Sequence, residues 1–289
     1  MAKSRGPEFL RYCIPIINVL RDLGDSGRPA EVTDLVLERL SVSETEQEVT
    51  NQNGGSKVRN QVAWARFYLV KAGYLSSSQR GVWGLTDKGE ESKLDHDTIV
   101  AMFRGLAKKF SKAKRKKKTP ETEVTEDETD VDSVDTGEDY RSALLATLRA
   151  LSPDGFERIC QLLLRESGFQ QVTVTGKSGD GGIDGHGILQ INPLVSFKVL
   201  FQCKRYQGSV AVSAIRDFRG ALQGRADKGI VLTTGTFTTD AKREALRDGA
   251  TPIELVDAEK LVDMFEALSL GLRPKKDFDV DDEFFEPYR

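Results

Sequence analysis

The sequence predicts an α/β domain with a mixed sheet flanked by helices, preceded by a smaller domain of helices and one short β-hairpin. In the second half, short runs rich in β-branched and aromatic residues alternate with longer segments whose apolar residues recur at helical spacing. In the first half, three segments of helical spacing precede two short apolar runs that polar residues separate. Strands that alternate with helices favour a single sheet with helices packed on it.

Composition is compatible with a soluble globular protein that carries a polar segment. Of 289 residues, 38% are hydrophobic and 30% charged, and the length predicts one or two domains. The net charge of −3 averages opposed local blocks, so it does not exclude nucleic-acid binding. No apolar run reaches the length of a membrane span, so we expect no membrane partner. Three widely spaced cysteines, Cys13, Cys160 and Cys203, predict buried thiols in a reducing cytoplasm.

The front domain is expected over residues 5–107. Pro15 lies inside the first helical segment, where it is expected to kink the helix, and Pro29 favours the start of the second. Gly73 is expected to end the third. The predicted elements are helices over 9–23, 30–40 and 57–72, a hairpin formed by 74–75 and 82–86, and a last helix that begins at Thr86.

Helices followed by a short hairpin resemble a winged helix-turn-helix, in which the third helix enters the major groove of DNA and the hairpin contacts phosphates or the minor groove. Basic and amide side chains suit phosphates and base edges. On this reading the DNA-binding residues are Lys57, Arg59, Asn60, Gln61 and Arg66 on the third helix, and Arg80 at the tip of the hairpin. The alternative is that these residues form the solvated face of an ordinary helix, in a domain that binds protein.

A charged linker is expected over residues 108–138. A dense basic run, 112–118, is followed by an acidic run, 121–139, with almost no large apolar residue. Like-charge blocks resist compaction, so we expect a disordered tether. The basic half can add sequence-independent DNA affinity, and the acidic half can cover it when DNA is absent. The acidic, aromatic tail, 273–289, receives no assignment.

The back domain is expected over residues 139–272. Ser152, Pro153 and Asp154 are residues that favour a helix start, and Thr238 is expected to cap a later helix. The threonines Thr233, Thr234 and Thr236 are interpreted as strand and turn formers, with contact to DNA phosphates as the alternative. The predicted elements are helices over 140–150, 154–167, 210–225, 241–248 and 259–268, and strands over 170–175, 187–191, 199–206, 229–234 and 253–256.

Three polar residues are expected to meet on one side of this sheet. Side chains alternate along a strand, so Gln202 and Lys204 point one way while Cys203 points the other. Asp184 lies just before a run that can pair with this strand as a hairpin. A carboxylate, an amide oxygen and the carbonyl of Cys203 are ligands that suit Mg²⁺, and the lysine can orient a water molecule. The alternative is a turn-forming Asp beside the wet face of a half-exposed strand.

These residues resemble a known family. The stretch 179–185 (GDGGIDG), followed by Gln202-Cys203-Lys204, is similar to the catalytic core of Mrr-type restriction endonucleases, a branch of the PD-(D/E)xK nuclease superfamily in which the second acidic position is often Gln. The resemblance covers about residues 140–265, and the front of the chain resembles the amino-terminal domain of Mrr-like proteins.

The resemblance implies a restriction-endonuclease-like fold and a role for each site residue. Asp184 is implied to bind the metal ion, while Asp180 shapes the loop. Glu157 is implied to act as a helix acid that binds a second metal ion or a metal-bound water. The alternative for Glu157 is an exposed charge favoured by the start of its helix.

The sequence therefore predicts a Mg²⁺-dependent restriction endonuclease that hydrolyses DNA, with methylated DNA as an implied substrate. Cutting both strands of double-stranded DNA needs two active sites, so we expect a homodimer or a higher homo-oligomer. Because Gln202 is neutral, two alternatives stay open. One is a DNA-binding regulator whose nuclease fold is silent, and the other is a structure-specific repair or junction nuclease.

Overall fold

Helices build most of the front domain. The computed structural model describes residues 6–52, 54–76, 82–116, 140–175 and 182–272. The third predicted helix is confirmed with nearly its expected bounds. The helices are a 3₁₀ turn, η1 (Glu8–Tyr12), followed by α1 (Cys13–Asp22), α2 (Pro29–Arg39), α3 (Glu44–Glu48), α4 (Lys57–Lys71), α5 (Asp87–Glu91) and α6 (His96–Lys116).

The first helical segment differs from its prediction because of Pro15. The chain forms η1 before α1 begins at Cys13, so Pro15 lies in the first turn of α1. Backbone N–H groups in a first turn have no acceptor within the helix, so a proline there removes no hydrogen bond. The expected kink is replaced by a change from 3₁₀ to α geometry.

A three-stranded antiparallel sheet completes the front domain. Its strands are β1 (Ser26–Gly27), β2 (Leu75–Ser76) and β3 (Trp83–Leu85), in the order β1-β3-β2. The predicted hairpin is confirmed, since Leu75 pairs with Leu85. Both β1 and the short helix α3 were missed, because each is too short to show a periodicity. Arg80 lies outside the described residues.

Helix α6 extends past residue 108, the predicted start of the linker. Its backbone continues to Lys116, into the basic run that was expected to be disordered. Lys and Arg are good helix formers, and cations near a helix C-terminus are favoured by the helix dipole. The rest of the expected linker and the tail lie outside the described residues.

The back domain is organised around a mixed five-stranded sheet. Its strands are β4 (Phe169–Val174), β5 (Gly185–Asn192), β6 (Val195–Lys204), β8 (Lys228–Thr233) and β10 (Ile253–Val256), in the order β10-β8-β6-β5-β4. Strands β4, β5 and β6 pair antiparallel, whereas β6, β8 and β10 pair parallel. The mixed sheet expected from the sequence is therefore confirmed.

Helices cover both faces of this sheet. One face packs Phe201 against α7 (Tyr140–Ala150), α8 (Pro153–Glu166) and α11 (Ala258–Ala267). The opposite face packs Leu200 against α9 (Val212–Leu222) and α10 (Thr239–Ala245). Adjacent residues of β6 thus belong to different apolar cores, as strand alternation requires.

A second, two-stranded sheet lies beside the end of β6. It pairs β7 (Ser209–Val210) in parallel with β9 (Thr236–Phe237), and neither strand was predicted. Among the described residues, no helix is both long and apolar enough to cross a membrane.

Candidate active site

Asp184 is held against the strand that carries the other predicted site residues. Strands β5 and β6 form the expected hairpin, with Gly185 opposite Phe201. The amide of Asp184 donates to the Phe201 carbonyl at 3.0 Å. The Asp184 Oδ2 atom accepts a hydrogen bond of 2.6 Å from the amide of Cys203. The carboxylate is therefore fixed on the backbone of the residue that separates Gln202 from Lys204.

Gln202 presents a polar atom that the protein does not satisfy. Its side chain is 8% exposed, and Nε2 donates to the Gly182 carbonyl at 2.5 Å. The Oε1 atom is buried and has no hydrogen-bond partner among the described residues. A buried acceptor without a donor is costly in a native fold, so it marks a place where a bound group completes the structure.

Gly182 allows Gln202 to take this position. The glycine has φ +81°, and a Cβ atom built on it would lie 2.2 Å from the Nε2 atom of Gln202. A side chain here would meet both backbone strain and a direct clash. The sequence identified this glycine only as part of a glycine-rich loop. Its place directly before Ile183-Asp184 could have indicated that its backbone lies close to the site.

Lys204 is the last residue of β6, and two neighbouring threonines fix its backbone. The Lys204 carbonyl accepts from Thr233 Oγ1 at 2.7 Å and from the Thr234 amide at 3.3 Å. Thr234 Oγ1 in turn donates to the Tyr206 carbonyl at 2.9 Å. Both threonines are 0% exposed, as expected of strand and turn residues.

Glu157 lies within the electrostatic reach of Asp184. Burial raises the pKa of the Glu157 carboxyl, and the charges of Asp184 and Asp154 raise it further. Asp184 and Glu157 also help to raise the pKa of the Cys203 thiol, after its hydrogen bond with Cys160 and its burial. Both readings of Glu157, as a helix acid near the site and as an exposed charge favoured by the start of its helix, stay predictions.

The donor set fits a hard divalent cation. A carboxylate from Asp184, the free amide oxygen of Gln202 and a nearby second carboxylate are oxygen ligands of the kind that Mg²⁺ takes. Within the part of the chain that the structure describes, no three His, Cys, Asp or Glu residues form a metal-binding group. Such a group is not required here, because an amide and a backbone carbonyl are part of the predicted set.

The predicted DNA-binding residues are placed less favourably. Asn60 and Gln61 are 7% and 5% exposed, and Gln61 donates to Glu8 on η1 at 3.1 Å. These two amides are buried in this conformation, and their contact with DNA stays a prediction. Lys57 is half-buried, and the guanidinium of Arg66 stacks on Trp83 at 5.4 Å.

Arg59 is engaged at the boundary of the two domains. It donates to Asp34 at 2.5 Å and to the Phe237 carbonyl at 3.2 Å. The sequence does not reveal the contact with the Phe237 carbonyl, because Phe237 is distant in the chain and belongs to the back domain.

The helix-flanked mixed sheet, with an acid, an amide and an amine at one end of its central strand, defines a nuclease of the restriction endonuclease class. A family model described as restriction endonuclease matches residues 148–265, and a model of the Mrr N-terminal domain matches residues 9–93. The chain belongs to the Mrr family of restriction endonucleases, which are DNA endonucleases. Enzymes of this class generally use a divalent metal ion.

A relative supports the same family over nearly the whole chain. The chain is 27% identical to the type IV methyl-directed restriction enzyme EcoKMrr of Escherichia coli (strain K12), over 94% of this chain and 98% of that protein. The match therefore includes both domains.

Two solved structures are similar over part of the chain. The DNA modification-dependent restriction endonuclease AspBHI is 19% identical, with a TM-score of 0.41, over 68% of this chain and 56% of that one. The MspJI restriction endonuclease, solved with a 27-mer oligonucleotide, is 20% identical, with a TM-score of 0.37, over 63% and 47%. This chain thus spans about half the length of either protein.

Proposed function

We propose that this enzyme hydrolyses phosphodiester bonds of double-stranded DNA with Mg²⁺, and that Asp184, Gln202 and the carbonyl of Cys203 hold the ion. The observation that carries the proposal is the pairing of a fixed carboxylate with a buried amide oxygen that has no partner among the described residues. Bound Mg²⁺ would stabilise negative charge on the phosphate oxygens and lower the pKa of water.

The side chains divide the remaining chemistry. In hydrolysis the water oxygen bonds to phosphorus, the ester bond from phosphorus to the leaving oxygen breaks, the water loses a proton and the leaving oxygen gains one. Lys204 orients the attacking water and places a positive charge beside the phosphate. Glu157, whose pKa is raised by burial and by Asp184, is suited to accept a proton or a hydrogen bond from that water.

The front domain supplies DNA affinity in this proposal. Lys57, Arg59, Arg66 and Arg80 contact the phosphates, while Asn60 and Gln61 reach DNA only if their present partners are exchanged. We further propose that the substrate is modified DNA, because the relative in E. coli is methyl-directed. The three free cysteines fit a cytoplasmic enzyme, and a homodimer or higher homo-oligomer would carry the two sites.

The test uses purified protein with methylated and unmethylated plasmid. We expect Mg²⁺-dependent cleavage of the methylated plasmid, abolished in Asp184→Asn and Lys204→Met, with binding to a fluorescent duplex retained. Glu166→Gln, which changes an exposed carboxylate on the same helix as Glu157, is the matched control and should cleave like the wild type. Binding without cleavage on both plasmids would instead support the silent regulator, and preference for a four-way junction would support the junction nuclease.

A further inference from the structure

Glu44 of the front domain completes a helix of the nuclease domain. Helix α9 begins at Val212, and its N-cap residue, Ala211, has no side chain able to accept a hydrogen bond. The Glu44 Oε1 atom accepts from the Val212 amide at 2.5 Å and from Thr238 Oγ1 at 3.0 Å. An anionic acceptor at a helix start satisfies a free N–H group and the positive end of the helix dipole.

Gln47, on the same short helix as Glu44, makes a matching contact. Its Nε2 atom donates to Thr239 Oγ1 at 3.0 Å, and its Oε1 atom accepts from the Thr239 amide at 3.2 Å. The side chain is almost fully buried. Two adjacent segments of the nuclease domain are therefore bonded to α3.

Arg59 and Asp34 extend this contact. Asp34 pairs with Arg59 of its own domain and with Lys242 of the nuclease domain, while Arg59 also donates to the Phe237 carbonyl. Glu44, Gln47, Arg59 and Asp34 together form one polar surface, called here the docking surface. It contains Arg59, one of the proposed DNA contacts.

The docking contact has the character of a separable interface. Its bonds are polar or ionic, and a cleft of about 490 Å³ opens beside it between Arg28 and Asp34 on one side and Lys242 and Leu246 on the other. Polar, incompletely packed contacts between domains resemble transient rather than permanent interfaces.

DNA would act on this contact through charge. The phosphate backbone attracts Arg59 and Lys242, and repels the carboxylates of Asp34 and Glu44 that hold the domains together. The Arg59 side chain is only 16% exposed, and its Nη2 atom is bonded to Asp34 and to a backbone carbonyl, so contact with a phosphate competes with the docked arrangement.

We propose that docking of the front domain onto the nuclease domain and binding of Arg59 to the phosphate backbone of duplex DNA exclude each other: the docking surface holds the nuclease domain of the same chain when DNA is absent and releases it when Arg59 contacts DNA. The inference rests on the proposed DNA binding by the front domain. The nuclease domain thereby competes with DNA, and weakening the contact raises the apparent DNA affinity.

The experiment compares Glu44→Ala/Gln47→Ala with the wild type and with Glu48→Ala, an exposed residue of the same helix. Fluorescence anisotropy of a labelled duplex is measured in full-length protein. We expect the double variant to bind about tenfold more tightly, since part of the closed-state stabilisation is lost, and Glu48→Ala to bind like the wild type.

Hydrogen–deuterium exchange of the wild type provides a measurement that needs no substitution. Duplex DNA should increase exchange at Val212 and Thr239, whose amides donate to Glu44 and Gln47, but not at strand β8 inside the sheet. DNA binding with unchanged exchange there and unchanged affinity in the double variant overturns this inference alone. Weaker binding by the double variant also overturns it, because docking would then assist binding. Absence of DNA binding in every protein overturns the proposed function with it.

Discussion

Gly182 lies two residues before Asp184, in a left-handed backbone conformation and under the amide of Gln202. We predict that Gly182→Ala lowers the cleavage rate at least tenfold, because the new methyl group displaces Gln202, and misplacement of about 1 Å in a site can cost about 100-fold. Single-turnover cleavage at saturating DNA measures this rate.

The control for Gly182 is Gly168→Ala. Gly168 has a similar φ of +91°, but a Cβ atom there meets no atom within 4 Å. This variant should lose about 1–2 kcal/mol of stability through backbone strain alone, while its cleavage rate stays unchanged. Equal rates for the two variants would show that the position of Gln202 is unimportant.

At this scale the sequence predicted the positions of the candidate site residues in the fold better than their hydrogen-bond partners. The stretch around Asp184 and the Gln-x-Lys strand could be recognised because their spacing follows the period of a hairpin. The burial of Asn60 and Gln61 could not be predicted, because a polar side chain on a helix does not reveal whether its partner is water, DNA or another residue. Glu8 fills that role for Gln61.

Strand β8 positions Lys204 through its last residue. We predict that Thr233→Val lowers the cleavage rate about tenfold and stability by about 1–3 kcal/mol, because the Lys204 carbonyl loses a donor and the Gly235 amide loses its acceptor. Thr233→Ser keeps the hydroxyl and should restore most of the rate. The measurements are single-turnover cleavage and thermal unfolding.

A loss of stability without a loss of rate in Thr233→Val would limit Thr233 to a structural role. Thr147→Val is the control for the loss of a threonine hydroxyl, since within the described part of the chain Thr147 donates to the carbonyl of Ala143 in its own helix. That substitution should leave cleavage unchanged.

Helix α11 carries a carboxylate at its start that should make stability depend on pH. Burial raises the pKa of Glu259 above its ordinary value, and the charges of Asp257 and Asp263 raise it further. The folded state thus holds the proton more tightly than the unfolded chain, so stability falls as pH rises above the ordinary carboxyl pKa.

We predict that Glu259→Gln increases the free energy of unfolding at pH 7 by about 0.5 kcal/mol. The effect is small because solvent screens the charges around this partly exposed residue. The gain should disappear near pH 4, where the wild type is protonated. Urea unfolding at both pH values checks this, with exposed Glu166→Gln as the control. A gain that persists unchanged at acid pH would assign the effect to packing instead.

Elements with strong local sequence signals could be predicted, whereas elements formed by pairing with residues distant in the sequence could not. The start of α8 is capped by Ser152, and that of α10 by Thr238, as their residue types indicate. Strands β7 and β9 have only two residues each, and their pairing joins segments that local patterns do not connect. The continuation of α6 to Lys116 was not predicted, because a block of like charges usually indicates a disordered segment.

In the proposed homo-oligomer, each of two active sites cuts one strand of the duplex. We predict that mixing wild-type protein with an excess of Asp184→Asn protein shifts the product of a methylated supercoiled plasmid from linear to nicked DNA, because mixed assemblies hold one working site. Gel analysis of early time points measures the ratio. An excess of Glu166→Gln protein should leave linear DNA as the main product, and an unchanged ratio with Asp184→Asn would mean that each chain cuts alone.

The bond from Glu44 to the first turn of α9 has a consequence for protein engineering. A cleavage module excised at the domain boundary and grafted onto a foreign DNA-targeting scaffold would carry a helix whose leading amide has lost its acceptor. Ala211→Ser or Ala211→Asp should stabilise chimeric enzymes of this kind, because the new side chain would supply the missing acceptor from within the module itself.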